Sequence, residues 1–372
     1  LTIASGGLKF IPSDFVFKKR HAGDFLIMYL FGTQTSLSGI IVAGLASIAM
    51  LVLSSDVAVK KLTGLAGYFR LSTTFMGVTV VSLATSIPEI AAHLTTSVGI
   101  LTKTLDYQIG SAVVLGSNIG SDVIQQTLIM AIVILLAGAL SFKRYFLWKS
   151  MGPMIGTTLL CIILGLDRTY SRLDGLILLG TFIGYMYYLY SDERKHYQAE
   201  DHGIKPDAPL PEGVPQHAGE AWRDAGIAFI ALCITILSAM VALQITETVV
   251  QRTGIGGSLI GVVTLGVASA LPELITSVSG IRNGDEGIPL GTLIGSNVTN
   301  PLVAIGGGAL LSSYWVPGPI VFWDLPWETV TGLILWIFLW FNKGKISKGG
   351  AAYLIMLYIT YIALRTIFFA ID

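Results

Sequence analysis

The chain has 372 residues, of which 53% are hydrophobic and only 12% charged, and its formal net charge at pH 7 is zero. Soluble domains carry about 25% charged residues, so a deficit spread over this length excludes a large soluble core and predicts an all-α integral membrane protein. The charge balance leaves no basic footprint for nucleic acid.

In chain order, residues 1–35 form an N-terminal arm carrying Lys18, Lys19 and Arg20. Within it FLIMYLF (25–31) either begins an over-long first helix or lies flat on the membrane. No basic segment with a small-residue cleavage site follows Leu1, so no signal peptide is expected. A span takes about 20 apolar residues. By that measure ten transmembrane helices are expected, at 36–59, 71–99, 107–138, 145–166, 173–190, 222–250, 256–281, 288–313, 318–342 and 349–371. The longest polar gap, 191–221, is rich in Pro and mixed charge and reads as a flexible linker. It divides the chain into a first transmembrane repeat, 36–190, and a second, 222–372. Cys161 and Cys233 lie in apolar runs away from any second Cys or His at ligand spacing, so both are expected to be small buried hydrophobes. With the linker in the cytoplasm, Lys60, Lys61, Arg70, Lys143, Arg144, Lys149, Arg194, Lys195, Lys205, Arg223, Arg282, Lys343, Lys345 and Lys348 fall on the cytoplasmic side, as basic loop residues should. The arm's three basic residues then lie outside, against that rule.

Two blocks recur. GVTVVSLATSIPEI (77–90) returns as GVVTLGVASALPEL (261–274), with Gly, Val, Ala, Pro and Glu in place. LGSNIGSD (115–122) returns as IGSNVTNP (294–301). Five spans separate the copies, and five is odd, so the second copy inserts upside down. That is an inverted-topology repeat of two five-helix halves, an architecture of secondary transporters. It brings Glu89 and Glu273 together near the bilayer midplane. A carboxylate there costs about 2.5–3.5 kcal/mol on insertion scales and is kept when it meets a cation. No Lys or Arg falls near the midplane of the four motif helices, so the positive charge must come from a ligand. Pro88 and Pro272 break their helices just before the glutamates and free carbonyl oxygens upstream.

The groups on offer are all oxygens. Thr85, Ser86 and Glu89 come from the first Pro-Glu helix, and Ser269 and Glu273 from its mirror. Ser117 and Ser121, then Ser296 and Asn300, come from the Gly-Ser-Asn helices, with Gly116 and Gly295 allowing close helix packing. Hard cations select such a set: Ca²⁺ takes about 6–8 oxygens, whereas zinc or copper prefers Cys and His. Two glutamates neutralise one Ca²⁺, and the same hydroxyls and carbonyls suit Na⁺. For any single Ser the plainer reading is a hydroxyl bonded back to its own helix or gluing two helices together. The paired, inverted Pro-Glu blocks carry the functional reading.

These blocks resemble the two alpha repeats of the cation/calcium exchanger superfamily, most nearly its sodium/calcium exchanger branch, over about 36–371. The resemblance implies a ten-helix exchanger with four cation sites, alternating access, and two long tilted helices, 36–59 and 222–250, sliding across the other eight. It implies ligands at Thr85, Ser86, Glu89, Ser117, Ser121, Ser269, Glu273, Ser296 and Asn300, joined by the carbonyls of Ser82 and Gly266. It implies Na⁺ and Ca²⁺ as transported ions, no cofactor, no catalytic role, no obligatory protein partner, and residence as a multi-pass protein in a plasma or cell membrane.

The sequence departs from the pattern at several places. Ala270 replaces the second hydroxyl of a Thr-Ser pair. Ser121 and Asn300 stand where relatives often carry Asn or Asp; the potassium-dependent branch is acidic at the position of Asn300, which argues against potassium dependence, and Ala112 and Val113 replace a Gly-Asn. His93, one turn beyond Glu89, is expected to be a neutral helix-contact histidine, with a proton-linked group as the sharper reading. Asp122 lies off the ligand face and is expected to be a charge beside the site or in its open vestibule rather than a ligand. The linker has no room for a calcium-sensing domain. Three further readings stand beside Na⁺/Ca²⁺ exchange. A Ca²⁺/H⁺ antiporter, or one for another divalent cation, would place protons on the same glutamates. A cation channel would favour rings of identical groups from several subunits. An intramembrane hydrolase lacks its Ser–His, Cys–His or paired-aspartate signature.

Overall fold

The computed structural model describes residues 37–68, 82–142, 144–200, 214–282 and 287–372. The N-terminal arm, with FLIMYLF, and the start of the expected helix 71–99 lie outside the described residues. In order, the chain forms α1 (Leu37–Tyr68), α2 (Ser82–Thr85), α3 (Ile87–Leu101), α4 (Tyr107–Ile124), a first π-helical turn (Gln125–Ile129), α5 (Met130–Ala137), β1 (Ala139–Ser141), α6 (Arg144–Gly165), β2 (Thr169–Tyr170) and α7 (Arg172–Glu200). After 201–213 come α8 (Ala218–Thr253), α9 (Gly257–Val263), α10 (Leu265–Ser269), α11 (Leu271–Arg282), α12 (Gly287–Thr299), a second π-helical turn (Asn300–Ile305), α13 (Gly306–Ser312) and β3 (Tyr314–Trp315). A third π-helical turn (Ile320–Asp324), α14 (Leu325–Phe341), β4 (Lys345–Ser347) and α15 (Lys348–Phe368) complete the chain. Eight helical rods among the described residues are long and apolar enough to cross a membrane.

Three details differ from the sequence expectation. The fold is mostly rather than wholly helical, because two short antiparallel ladders tie helix ends together: β1 pairs with β4, and β2 with β3. Gly138 and Gly344 adopt φ +81°, the left-handed turn that lets the chain enter β1 and β4. A Cβ on Gly344 would also stand 2.0 Å from the Phe142 carbonyl oxygen. Secondly, α7 runs on to Glu200, past the expected end at 190. The segment after Tyr190 carries no Gly or Pro until Gly203, and its Glu, Arg, Lys, Gln and Ala residues are good helix formers. Thirdly, Cys161 is buried as expected but Cys233 is exposed, on the outer face of α8.

The two longest helices, α1 and α8, lie antiparallel against each other. Gly44 admits Ile245, Leu51 packs with Ala239, Ser54 Oγ meets Thr235 Oγ1 at 2.9 Å, and Lys61 Nζ reaches Asp224 Oδ1 at 3.0 Å. Most of the remaining helices share the main apolar core, built around Leu115, Ile119, Met130, Leu147, Ile305 and Leu325. Beside that core α4 runs parallel to α9 and α10 at backbone contact, with Val113, Ile260 and Leu265 in a smaller cluster. A Cβ on Gly116 would fall 2.1 Å from the Ser258 carbonyl oxygen, and one on Gly261 2.2 Å from that of Val113. Small residues let two backbones approach this closely and supply packing in a solvent where burial of apolar surface drives nothing.

Candidate cation-binding site

The two Pro-Glu segments break at the same place. Ser86 (φ −77°, ψ 5°) separates α2 from α3, and Ala270 (φ −78°, ψ −6°) separates α10 from α11. Pro88 and Pro272 follow two residues later, and neither can donate to the carbonyl four residues back, so the ladder is interrupted there. Each break sets a glutamate in the first turn of the next helix, and both Glu89 and Glu273 are wholly buried. The carbonyl of Ser82 accepts from Ser86 N at 3.0 Å and Thr85 Oγ1 at 3.2 Å. That of Gly266 accepts from Ala270 N and Ser269 Oγ, both at 3.3 Å. The two expected backbone oxygens are thus engaged by the same pair of donors in each copy.

The hydroxyls converge on the glutamates from both halves of the sequence. Ser121 Oγ donates to Glu89 Oε1 at 2.8 Å, and Ser296 Oγ to Glu273 Oε1 at 3.3 Å. Thr85 Oγ1 lies 3.3 Å from Ser296 Oγ. Ser82 Oγ lies 2.9 Å from Thr299 Oγ1, so the first Pro-Glu segment meets the second Gly-Ser-Asn segment. Ser117 sits at the α4–α10 contact beside Gly266. Ser86 Oγ, Glu89 Oε2 and Glu273 Oε2 are buried without a hydrogen-bond partner. No Lys or Arg pairs with either glutamate among the described residues. Unpartnered carboxyl oxygens in a buried interior lack their compensation, and a bound cation would supply it.

Asn300 is placed differently from a free ligand. Its backbone oxygen accepts from Asn118 Nδ2 at 3.3 Å, and its own Nδ2 donates to Asp122 Oδ1 at 2.7 Å. Asp122 therefore stands beside the expected ligands, wholly buried, and not at an open mouth. His93 is a buried helix contact: its Nδ1 lies 3.3 Å from Tyr314 Oη, which itself donates to the His93 carbonyl at 2.9 Å.

Several buried polar residues in the structure were not singled out from the sequence. Gln125 Nε2 donates to Ser121 Oγ at 3.1 Å, and Gln125 Oε1 accepts from Asn297 Nδ2 at 3.2 Å. Asn297 Oδ1 accepts from Gln126 Nε2 at 2.8 Å, and the same amide reaches Glu328 Oε1 at 3.4 Å. These bonds join Glu89 to Glu328 through Ser121, Gln125, Asn297 and Gln126. Signals existed: Asn118 and Asn297 recur at one place in both Gly-Ser-Asn blocks, and Glu328 is an acid inside an apolar span.

The pattern of the family described as sodium/calcium exchanger protein matches residues 39–191 and 225–367. The chain belongs to this family. As an exchanger it is a multi-pass integral membrane protein, and its named relatives are transporters rather than enzymes. The sodium/calcium exchanger MaX1 of Methanosarcina acetivorans is 23% identical over 347 residues, covering 86% of this chain and 96% of its own. Among solved structures, the H⁺/Ca²⁺ exchanger CAX superposes with a TM-score of 0.67 at 16% identity, over 92% of this chain and 87% of that one. The sodium–calcium exchanger NCX_Mj, soaked with Na⁺ and Sr²⁺, superposes with a TM-score of 0.57 at 20% identity, over 88% of this chain and 99% of that one. At such identities the two structures share this exchanger's fold, and they bracket two different counter-ions.

Proposed function

We propose that this exchanger is a secondary antiporter that moves Ca²⁺ against Na⁺ by alternating access. The observation that carries the reading is the central pair Glu89 and Glu273. Each sits at a helix break, each accepts a serine hydroxyl from a Gly-Ser-Asn segment, and neither has a cationic partner among the described residues. The cation ligands are Thr85, Ser86, Glu89, Ser117, Ser121, Ser269, Glu273, Ser296 and Asn300, with the carbonyls of Ser82 and Gly266. One Ca²⁺ neutralises both glutamates; Na⁺ ions on the same oxygens do so in its place. Only the neutralised site passes the apolar barrier, which gives exchange without leak.

The architecture we infer has ten spans in two inverted halves, 36–190 and 222–372, joined through 191–221. The antiparallel pairing of α1 with α8 supports it, as does the parallel run of α4 with α9 and α10. So do the strand ladders: strict alternation of ten spans puts the loops holding β1 and β4 on one side, and those holding β2 and β3 on the other. The gap in the family match, between 191 and 225, falls on the linker. The α1–α8 pair would slide against the rest, and the basic loops put the linker in the cytoplasm, as in a cell membrane.

A second reading, Ca²⁺/H⁺ exchange, is favoured by one position. Ala270 is buried where the mirror residue is Ser86, so the second half offers one hydroxyl fewer for Na⁺. Radioactive Ca²⁺ uptake into proteoliposomes separates the two. An outward Na⁺ gradient, imposed alone, is expected to drive uptake. Uptake driven only by an outward proton gradient would give the second reading.

A further inference from the structure

Beside the Glu89–Glu273 pair lies a second group of buried oxygens. Asp122 and Gln126 are four residues apart on the rod that runs from α4 into the first π-helical turn, so they share a face. Asn300 in the second π-helical turn binds Asp122, and Glu328 on α14 binds Gln126. In each of the four side chains one atom is spent on these contacts and one oxygen remains. Asp122 Oδ2, Gln126 Oε1, Asn300 Oδ1 and Glu328 Oε2 are all buried and all without a hydrogen-bond partner. The four residues are between 0% and 4% exposed.

Among the described residues no Lys or Arg pairs with Asp122 or Glu328. Arg365 is the one buried basic side chain among the described residues, and Asp324 holds it at 2.9 Å. Two carboxylates and two amide oxygens, with no sulfur or imidazole among them, are ligands for a hard cation. A single Ca²⁺ at the Glu89–Glu273 pair would leave the second pair of charges uncompensated in a dry interior.

We propose that Asp122, Gln126 and Glu328, with Asn300 shared with the central set, form a further cation site for an oxygen-bound hard cation, Na⁺ or Ca²⁺. It takes from the exchanger reading only the choice of these two ions. The site is joined to the central one by the side chains of Gln126, Asn297, Gln125 and Ser121, so filling either rearranges donors seen by the other.

The test is equilibrium binding of radioactive Na⁺ and Ca²⁺, each alone, to the purified full chain, with thermal melts to verify folding. The two ion arms name the occupant. The double variant Asp122→Asn/Glu328→Gln is expected to lose one class of site, its affinity falling at least tenfold. The double variant Glu89→Gln/Glu273→Gln is expected to lose another and to keep the one proposed here. Binding of both ions by Asp122→Asn/Glu328→Gln at wild-type number and affinity overturns the proposal. So does the absence of all binding in folded Glu89→Gln/Glu273→Gln. Unchanged binding in Glu89→Gln/Glu273→Gln would instead sink the central-site reading. Should Asp122→Asn/Glu328→Gln fail to fold, Gln126→Glu adds a carboxylate and is expected to tighten one site about tenfold; unaltered affinity there also overturns the proposal.

Discussion

At the scale of single residues, Glu89 and Glu273 each keep one oxygen free after accepting a serine hydroxyl, as the proposed cation role requires. Glu89→Gln and Glu273→Gln preserve shape and remove the charge. Each is expected to lower Ca²⁺ uptake by about a hundredfold or more, the scale of one lost charge-assisted contact or two in a buried site. Near-normal flux in either variant would remove that residue from the transport site. Ala270→Ser restores a hydroxyl at the mirror of Ser86. It is expected to lower the half-saturating Na⁺ concentration about fivefold, as one added ligand of roughly 1 kcal/mol would. Measured Na⁺ dependence that does not shift would show that position 270 is no ion ligand. The motif acids and hydroxyls could be read from the sequence because the repeat states them twice. Glu328 could not, since it has no mirror, and an isolated acid in a span does not reveal what it faces. Only the fold brings it to Gln126.

At the scale of elements, helix positions were legible because nearly every rod is an apolar run ended by Gly, Pro or charge. The breaks at Ser86 and Ala270 were legible from Pro88 and Pro272 for the same local reason. The two ladders were not, because strands of two or three residues carry no period to recognise. The close approach of α4 to α9 gives a sharp stability test. Gly116→Ala places a methyl 2.1 Å from a backbone oxygen that cannot turn aside. It is expected to destabilise the fold by about 1–3 kcal/mol or more, the usual range for overpacking. A melting temperature equal to wild type would contradict the contact. The Asp324–Arg365 pair, with Tyr361 donating to Asp324 at 2.9 Å, anchors α14 to α15. Arg365→Met strands a buried carboxylate and is expected to cost about 3–5 kcal/mol. Adding Asp324→Leu should recover most of it, measured by the same melts.

At the scale of the whole molecule, alternating spans set which loops share a side. A single cysteine at Lys345 and one at Arg168 should react with a membrane-impermeant thiol reagent from opposite faces, in a background without Cys161 and Cys233. Labelling of both from one face would refute the inverted arrangement. The ladders carry a further consequence. In each, one strand precedes the 201–213 segment and the other follows it. Hydrogen bonds at both ends therefore stitch the front of the chain to its back, and neither piece owns a complete interior. Continuity of the peptide through that segment is then a convenience of synthesis. Two separate genes, encoding 1–200 and 214–372, should yield fragments that co-purify as one exchanger. Fragments that never meet would show instead that the covalent tether guides assembly.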